Sequence, residues 1–70
     1  MDDGLGLIGK RFFIVLKRIL RTGNNVVYSG VIKDIIPNKD IPSNYTIYLI
    51  DKFGKAVMLE RYDIKEMREE

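Results

Sequence analysis

The sequence has no cysteine and no histidine, and each absence removes a class of chemistry. Without cysteine there is neither a disulfide framework nor a thiolate metal site. Without histidine the commonest general base, metal ligand and near-neutral pH switch is missing. No apolar run approaches the ~20 residues that a membrane-spanning helix needs. The opening Met1-Asp2-Asp3-Gly4 also lacks the basic stretch of a secretory signal. A cytoplasmic protein without integral membrane insertion is expected. No Gly-rich phosphate loop, nucleophile motif or metal-ligand spacing occurs, so the chain is expected to be non-enzymatic, with no catalytic residue, metal or cofactor.

What is present is globular in composition, with 46% hydrophobic and 31% charged residues in a chain of 70. A chain this short buries only about 60% of its unfolded surface and makes one domain with an economical core. A single domain over 1–70 is expected, with residues 1–9 as a flexible lead-in and 68–70 as a frayed end. The formal net charge of +2 conceals an asymmetry. Lys10, Arg11, Lys17, Arg18, Arg21 and Lys33 fall in a stretch with no acid, whereas residues 36 to 70 hold six bases and seven acids. The N-terminal half is the candidate anion-facing surface.

Residues 10 to 21 fit two templates. At 100° per residue, Phe12, Val15, Leu16 and Ile19 gather on one helical face opposite Lys10, Lys17, Arg18 and Arg21. Against the helix stand Phe12-Phe13-Ile14-Val15, all aromatic or β-branched, which suit a pleated surface. The strand template is preferred, with Phe13, Val15 and Ile19 facing in and Arg11, Lys17 and Arg21 facing out. Arg21 to Asn25 is a turn, since Gly and Asn tolerate positive φ. Val26 to Ile36 is rich in β-branched residues, and Gly30 within it suggests a bulge or sharp bend. Pro37 to Asn44 is a polar loop. Tyr45 to Ile50 is apolar on both faces and reads as a central strand. Asp51 to Lys55 is a hairpin turn with Gly54 at the positive-φ position, and Ala56 to Glu60 is the returning strand. Arg61 to Met67 reads as a turn, of the 3₁₀ kind or not, and a last short strand or helical stub anchored by Ile64 and Met67. The fold class expected is mainly β, a small five-stranded barrel. The alternative is one N-terminal helix packed on a three- to four-stranded antiparallel sheet.

Gly9-Lys10, then Ile14-Val15-Leu16-Lys17, Gly30-Val31-Ile32 and Asp34-x-x-x-Asn38, in that order, resemble the small SH3-like and Sm-like barrels. Proteins of the Sm-like family assemble as rings and grip single-stranded RNA with an Asp and an Asn after the second strand. The resemblance therefore implies RNA contacts at Asp34 and Asn38. The chain departs from that family's pattern in having Pro37 before Asn38, and Leu59-Glu60-Arg61-Tyr62 where an Ile-Arg-Gly turn would stand.

The basic set, joined by Asp34 and Asn38, is the candidate nucleic-acid surface, with Tyr28, Tyr45 or Tyr48 as stacking platforms. Asp51, Glu60, Asp63 and Glu66 are the carboxylates to weigh as an acid/base pair or a hard-cation cluster. Asp51 suits turn chemistry, and the other three alternate with Arg61, Lys65 and Arg68 as a mixed-charge surface does. The leading expectation is a non-catalytic binding or adaptor module that assembles with itself or a protein partner, because open strand edges and a small core both reward association. Single-stranded nucleic-acid binding through the basic segment is the alternative. A membrane-surface or partner-binding role for a basic amphipathic helix is a further one.

Overall fold

Phe12-Phe13-Ile14-Val15 decides the first element, because aromatic and β-branched side chains favour the pleat over the helix. The structure, a computed structural model, describes residues 5–41 and 43–70, and in it this run lies within strand β1, Arg11–Ile19. Among the described residues there is no α-helix. That corrects the helix-on-sheet alternative, and the basic amphipathic helix offered to a membrane or a partner has no element to rest on. The inward face is corrected too. A strand alternates with a period of two, so Phe13 and Val15 travel with Arg11. The wholly apolar set Phe12, Ile14 and Leu16 is the one buried, and Ile19 is 66% exposed.

Four strands follow: β2 (Asn25–Pro37), β3 (Tyr45–Asp51), β4 (Ala56–Glu60) and β5 (Ile64–Glu69). They make one antiparallel sheet in the order β4-β3-β2-β1-β5. Gly23 and Gly54 take the positive φ that the two tight hairpin turns require, 90° and 83°. A 3₁₀ turn, Arg61–Asp63, links β4 to β5. Arg68 and Glu69, expected as a frayed end, belong to β5, and the Glu70 N–H donates to the Arg11 carbonyl at 2.9 Å. Residues Leu5–Leu7 form a short 3₁₀ turn, Leu7 packs against the core, and the Gly9 N–H donates to the Ile32 carbonyl at 2.7 Å. The rest of the expected flexible lead-in, residues 1–4, lies outside the described residues.

The link between β4 and β5 dictates curvature. Four strand spacings would separate these edges by ~19 Å in a flat sheet, yet a 3₁₀ turn rises only about 2 Å per residue. The sheet therefore rolls, and all five strands supply the core inside it: Phe12, Ile14 and Leu16, Ile32 and Ile35, Ile47 and Leu49, Leu59, and Ile64. Among the described residues no ladder joins β4 to β5, so the roll is not closed by hydrogen bonds.

Strand β2 carries both halves of the roll, pairing with β1 from Asn25 to Val31 and with β3 from Gly30 to Pro37. At the overlap, a Cβ on Gly30 would run into the Ile50 carbonyl oxygen and come within 2.8 Å of the Asp51 Cα. Gly30 thus serves close backbone approach, as an in-strand glycine often does. The bulge itself falls later, where the register shifts between Ile32 and Asp34 and leaves Lys33 as the extra residue. No helix among the described residues is long and apolar enough to cross a membrane.

Gly30→Ala is expected to lower unfolding free energy by about 1–3 kcal/mol through overpacking against the β3 backbone. In urea titration the midpoint falls while the slope is unchanged. Gly6→Ala, where an added methyl meets nothing within 4 Å, should stay within about 0.5 kcal/mol of wild type.

Candidate functional site

The length of β1 divides the basic set in two. Lys10 just precedes β1 and Arg11 begins it, while Lys17 and Arg18 lie six or seven residues beyond Arg11, ~20 Å away at strand rise, and Arg21 stands in the turn that follows. Lys10 pairs with Glu69 at 4.0 Å and Arg18 with Asp63 at 3.7 Å. Both pairs are well exposed and contribute little to stability.

Lys33 follows the inward Ile32, and the bulge there is what lets Ile35 turn back into the core. Lys33 itself stands with Arg11 on the outer face of the sheet. Together with Lys52 from the β3–β4 turn they ring an open hollow of about 560 Å³ whose apolar floor is Val31 and Ile50. Val31 is paired with Arg11 on one side and Ile50 on the other, so the floor is a cross-strand stripe that holds the cations apart. Among the described residues, none of the three cations has a carboxylate within ion-pair distance. Asp51 also lines the hollow, but its Oδ1 accepts the Phe53 and Lys55 N–H groups, both at 2.9 Å. The turn therefore holds that carboxylate, while Arg11, Lys33 and Lys52 are all exposed.

Asp34 and Asn38 are brought neither to this hollow nor to each other by any hydrogen bond. The Asp34 Oδ1 accepts the N–H of Ile35 at 2.9 Å. The Asn38 Oδ1 accepts those of Asp40 at 2.8 Å and Ile41 at 3.0 Å. Both side chains shape their local backbone, as Asp and Asn commonly do in turns. Of the tyrosines weighed as platforms, Tyr28 and Tyr45 lean on the core. Tyr48 lies between Asp34 and Met58 on the outer face.

The carboxylates weighed for chemistry are spent on structure or lie apart. Asn44, only 3% exposed, donates from Nδ2 to the Glu60 Oε1 at 3.1 Å and accepts the Tyr62 N–H at 3.1 Å. Thr46 donates its hydroxyl to the Glu60 Oε2 at 2.9 Å. This network ties the end of the β2–β3 loop to β3, β4 and the 3₁₀ turn. Glu66 pairs with Arg68 at 3.3 Å. Among the described residues no group of acidic side chains gathers as a metal site.

Lys52 and Phe53 are site residues that charge counting and strand patterning pass over. Their signal is local: the two positions between Asp51 and Gly54 are the ones a hairpin tip presents outward, and one of them is a phenylalanine with no turn role. No family model matches the chain, and neither a curated protein nor a solved structure matches it significantly.

Asn44→Ala would leave the Tyr62 N–H and the buried side of Glu60 without their partner. A loss of about 1–3 kcal/mol in unfolding free energy is expected, read by urea denaturation.

Proposed function

We propose that the chain is a non-catalytic binding module, built on a small five-stranded barrel of the SH3-like and Sm-like kind, and that its ligand is a single-stranded nucleic acid. The barrel reading is supported by the strand order β4-β3-β2-β1-β5, by a long strand shared between the two halves of the sheet, and by the 3₁₀ turn that draws the outer edges toward one another. The ligand reading rests on one observation: Arg11, Lys33 and Lys52, from three separate segments, converge on one open hollow, and among the described residues none of them has a carboxylate within ion-pair distance. Three outward cations over an apolar floor suit a flexible polyanion, whose phosphates meet the charges while its sugars and bases cover Val31 and Ile50.

Titration with labelled RNA and DNA oligonucleotides at two salt concentrations tests this. Three phosphate contacts on a single strand give a slope of about −2 in log K against log salt, a loss of roughly 20-fold between 50 and 200 mM. Absence of any salt-sensitive affinity for either polymer would sink the reading.

Assembly with itself or with a protein partner is a second reading, favoured by the open edges. Among the described residues β4 has β3 as its only sheet neighbour and β5 has only β1, and Met58 on β4 is 60% exposed. Unpaired edges reward strand addition. Light scattering behind size exclusion should return a mass above the 8.1 kDa of one chain. A monomer at every concentration tried removes self-assembly.

A further inference from the structure

Core packing does not account for the tip of the β3–β4 turn. Phe53 stands there 84% exposed, in a chain so short that each large apolar side chain matters to its interior. Its position between Asp51 and Gly54 needs no aromatic residue for turn geometry. The Lys52 Nζ lies over the ring, 5.5 Å from its centroid, a cation–π contact that occupies one face and leaves the other to solvent.

This tip separates two hollows. On one side is the basic hollow of Arg11, Lys33 and Lys52. On the other is a smaller one, about 180 Å³, lined by Val27, Tyr28 and Ser29 together with Phe53 itself. Asp51 and Lys52 border both, so the two hollows adjoin across the turn. Charge and aromatic surface are therefore side by side, which is what single-strand recognition without sequence readout requires.

We infer that a single-stranded nucleic acid crosses the β3–β4 turn, with one base stacked on the open face of Phe53 over the smaller hollow and the adjoining phosphates against Arg11, Lys33 and Lys52. This rests on the nucleic-acid reading above and gives it a place. Stacking on Phe53 demands an unpaired base, so the surface selects single strands over duplex. Lys17, Arg18 and Arg21, at the far end of β1, take no part, and neither do Asp34 and Asn38, whose side chains are engaged with their own backbone.

The test uses the full chain carrying Phe53→Trp. The protein has no tryptophan of its own, so the introduced indole reports alone, and its exposed site imposes no packing change. A short single-stranded oligonucleotide should quench its emission in a saturable way, and a duplex of the same length should not. In parallel, Phe53→Ala is expected to weaken single-strand binding roughly 5- to 150-fold, the range of one lost base stack. Arg11→Ala and Lys33→Ala should each flatten the salt slope by about 0.7, and a Lys17→Ala/Arg21→Ala pair should leave affinity and slope at their wild-type values. Unfolding curves matching wild type confirm that each variant is folded.

If the oligonucleotide binds wild type with a salt-sensitive affinity that survives Phe53→Ala and Arg11→Ala but falls with Lys17→Ala/Arg21→Ala, this placement is overturned while the nucleic-acid reading stands. If wild type binds no oligonucleotide, both fall. A blue shift of the indole emission of the Phe53→Trp variant with anionic phosphatidylserine vesicles, without quenching by oligonucleotide, would overturn the inference in favour of a lipid surface.

Discussion

The close approach of β2 to β3 at Gly30 is the constraint on which the rest depends. In this short chain a single sheet supplies the whole described core, by rolling around its own inner face. Strand β2 makes this happen by pairing with β1 along its first half and with β3 along its second, and the overlap puts the Ile50 backbone where any side chain on residue 30 would be. Once the halves are set at that angle, the 3₁₀ turn Arg61–Asp63 can carry the chain from one edge to the other. The β-branched and aliphatic residues of five strands then meet in one interior.

The same constraint builds the outer surface. The Val31 and Ile50 pair that flanks the Gly30 crossing faces outward as an apolar stripe, and the Lys33 bulge follows directly after it. Arg11, opposite Val31, and Lys52, just past the end of β3, complete the ring. The basic hollow is therefore a by-product of how the sheet bends.

Much of this is legible in the sequence, for reasons that can be named. The turn at Gly23, the hairpin at Asp51 to Gly54, the central strand Tyr45 to Ile50 and the anchors Ile64 and Met67 all follow from local chemistry: positive φ, turn-forming side chains, β-branched runs. Periodicity in β1 misleads. Turning Phe13 and Val15 inward conflicts with a strict alternation, which groups them with Arg11, and the fully apolar even positions Phe12, Ile14 and Leu16 are those buried. The site is half legible. Arg11 and Lys33 carry charge that any count finds, but their meeting with Lys52 depends on the pairing of β1, β2 and β3, which no local pattern encodes. Asn44, the buried amide that holds Glu60 and the Tyr62 N–H, reads in sequence as one more polar loop residue.

The most direct measurement of the central claim is a backbone amide chemical-shift titration of the isotope-labelled chain with a short single-stranded oligonucleotide. Shifts concentrated at Arg11, at Val31 to Lys33, at Ile50 to Lys55 and at Val27 to Ser29 are predicted, with the Lys17 to Arg21 end of β1 and strand β5 beyond Ile64 unmoved. Shifts confined to Lys17 to Arg21 or to the Asn38 to Asn44 loop, or none at all, would contradict it.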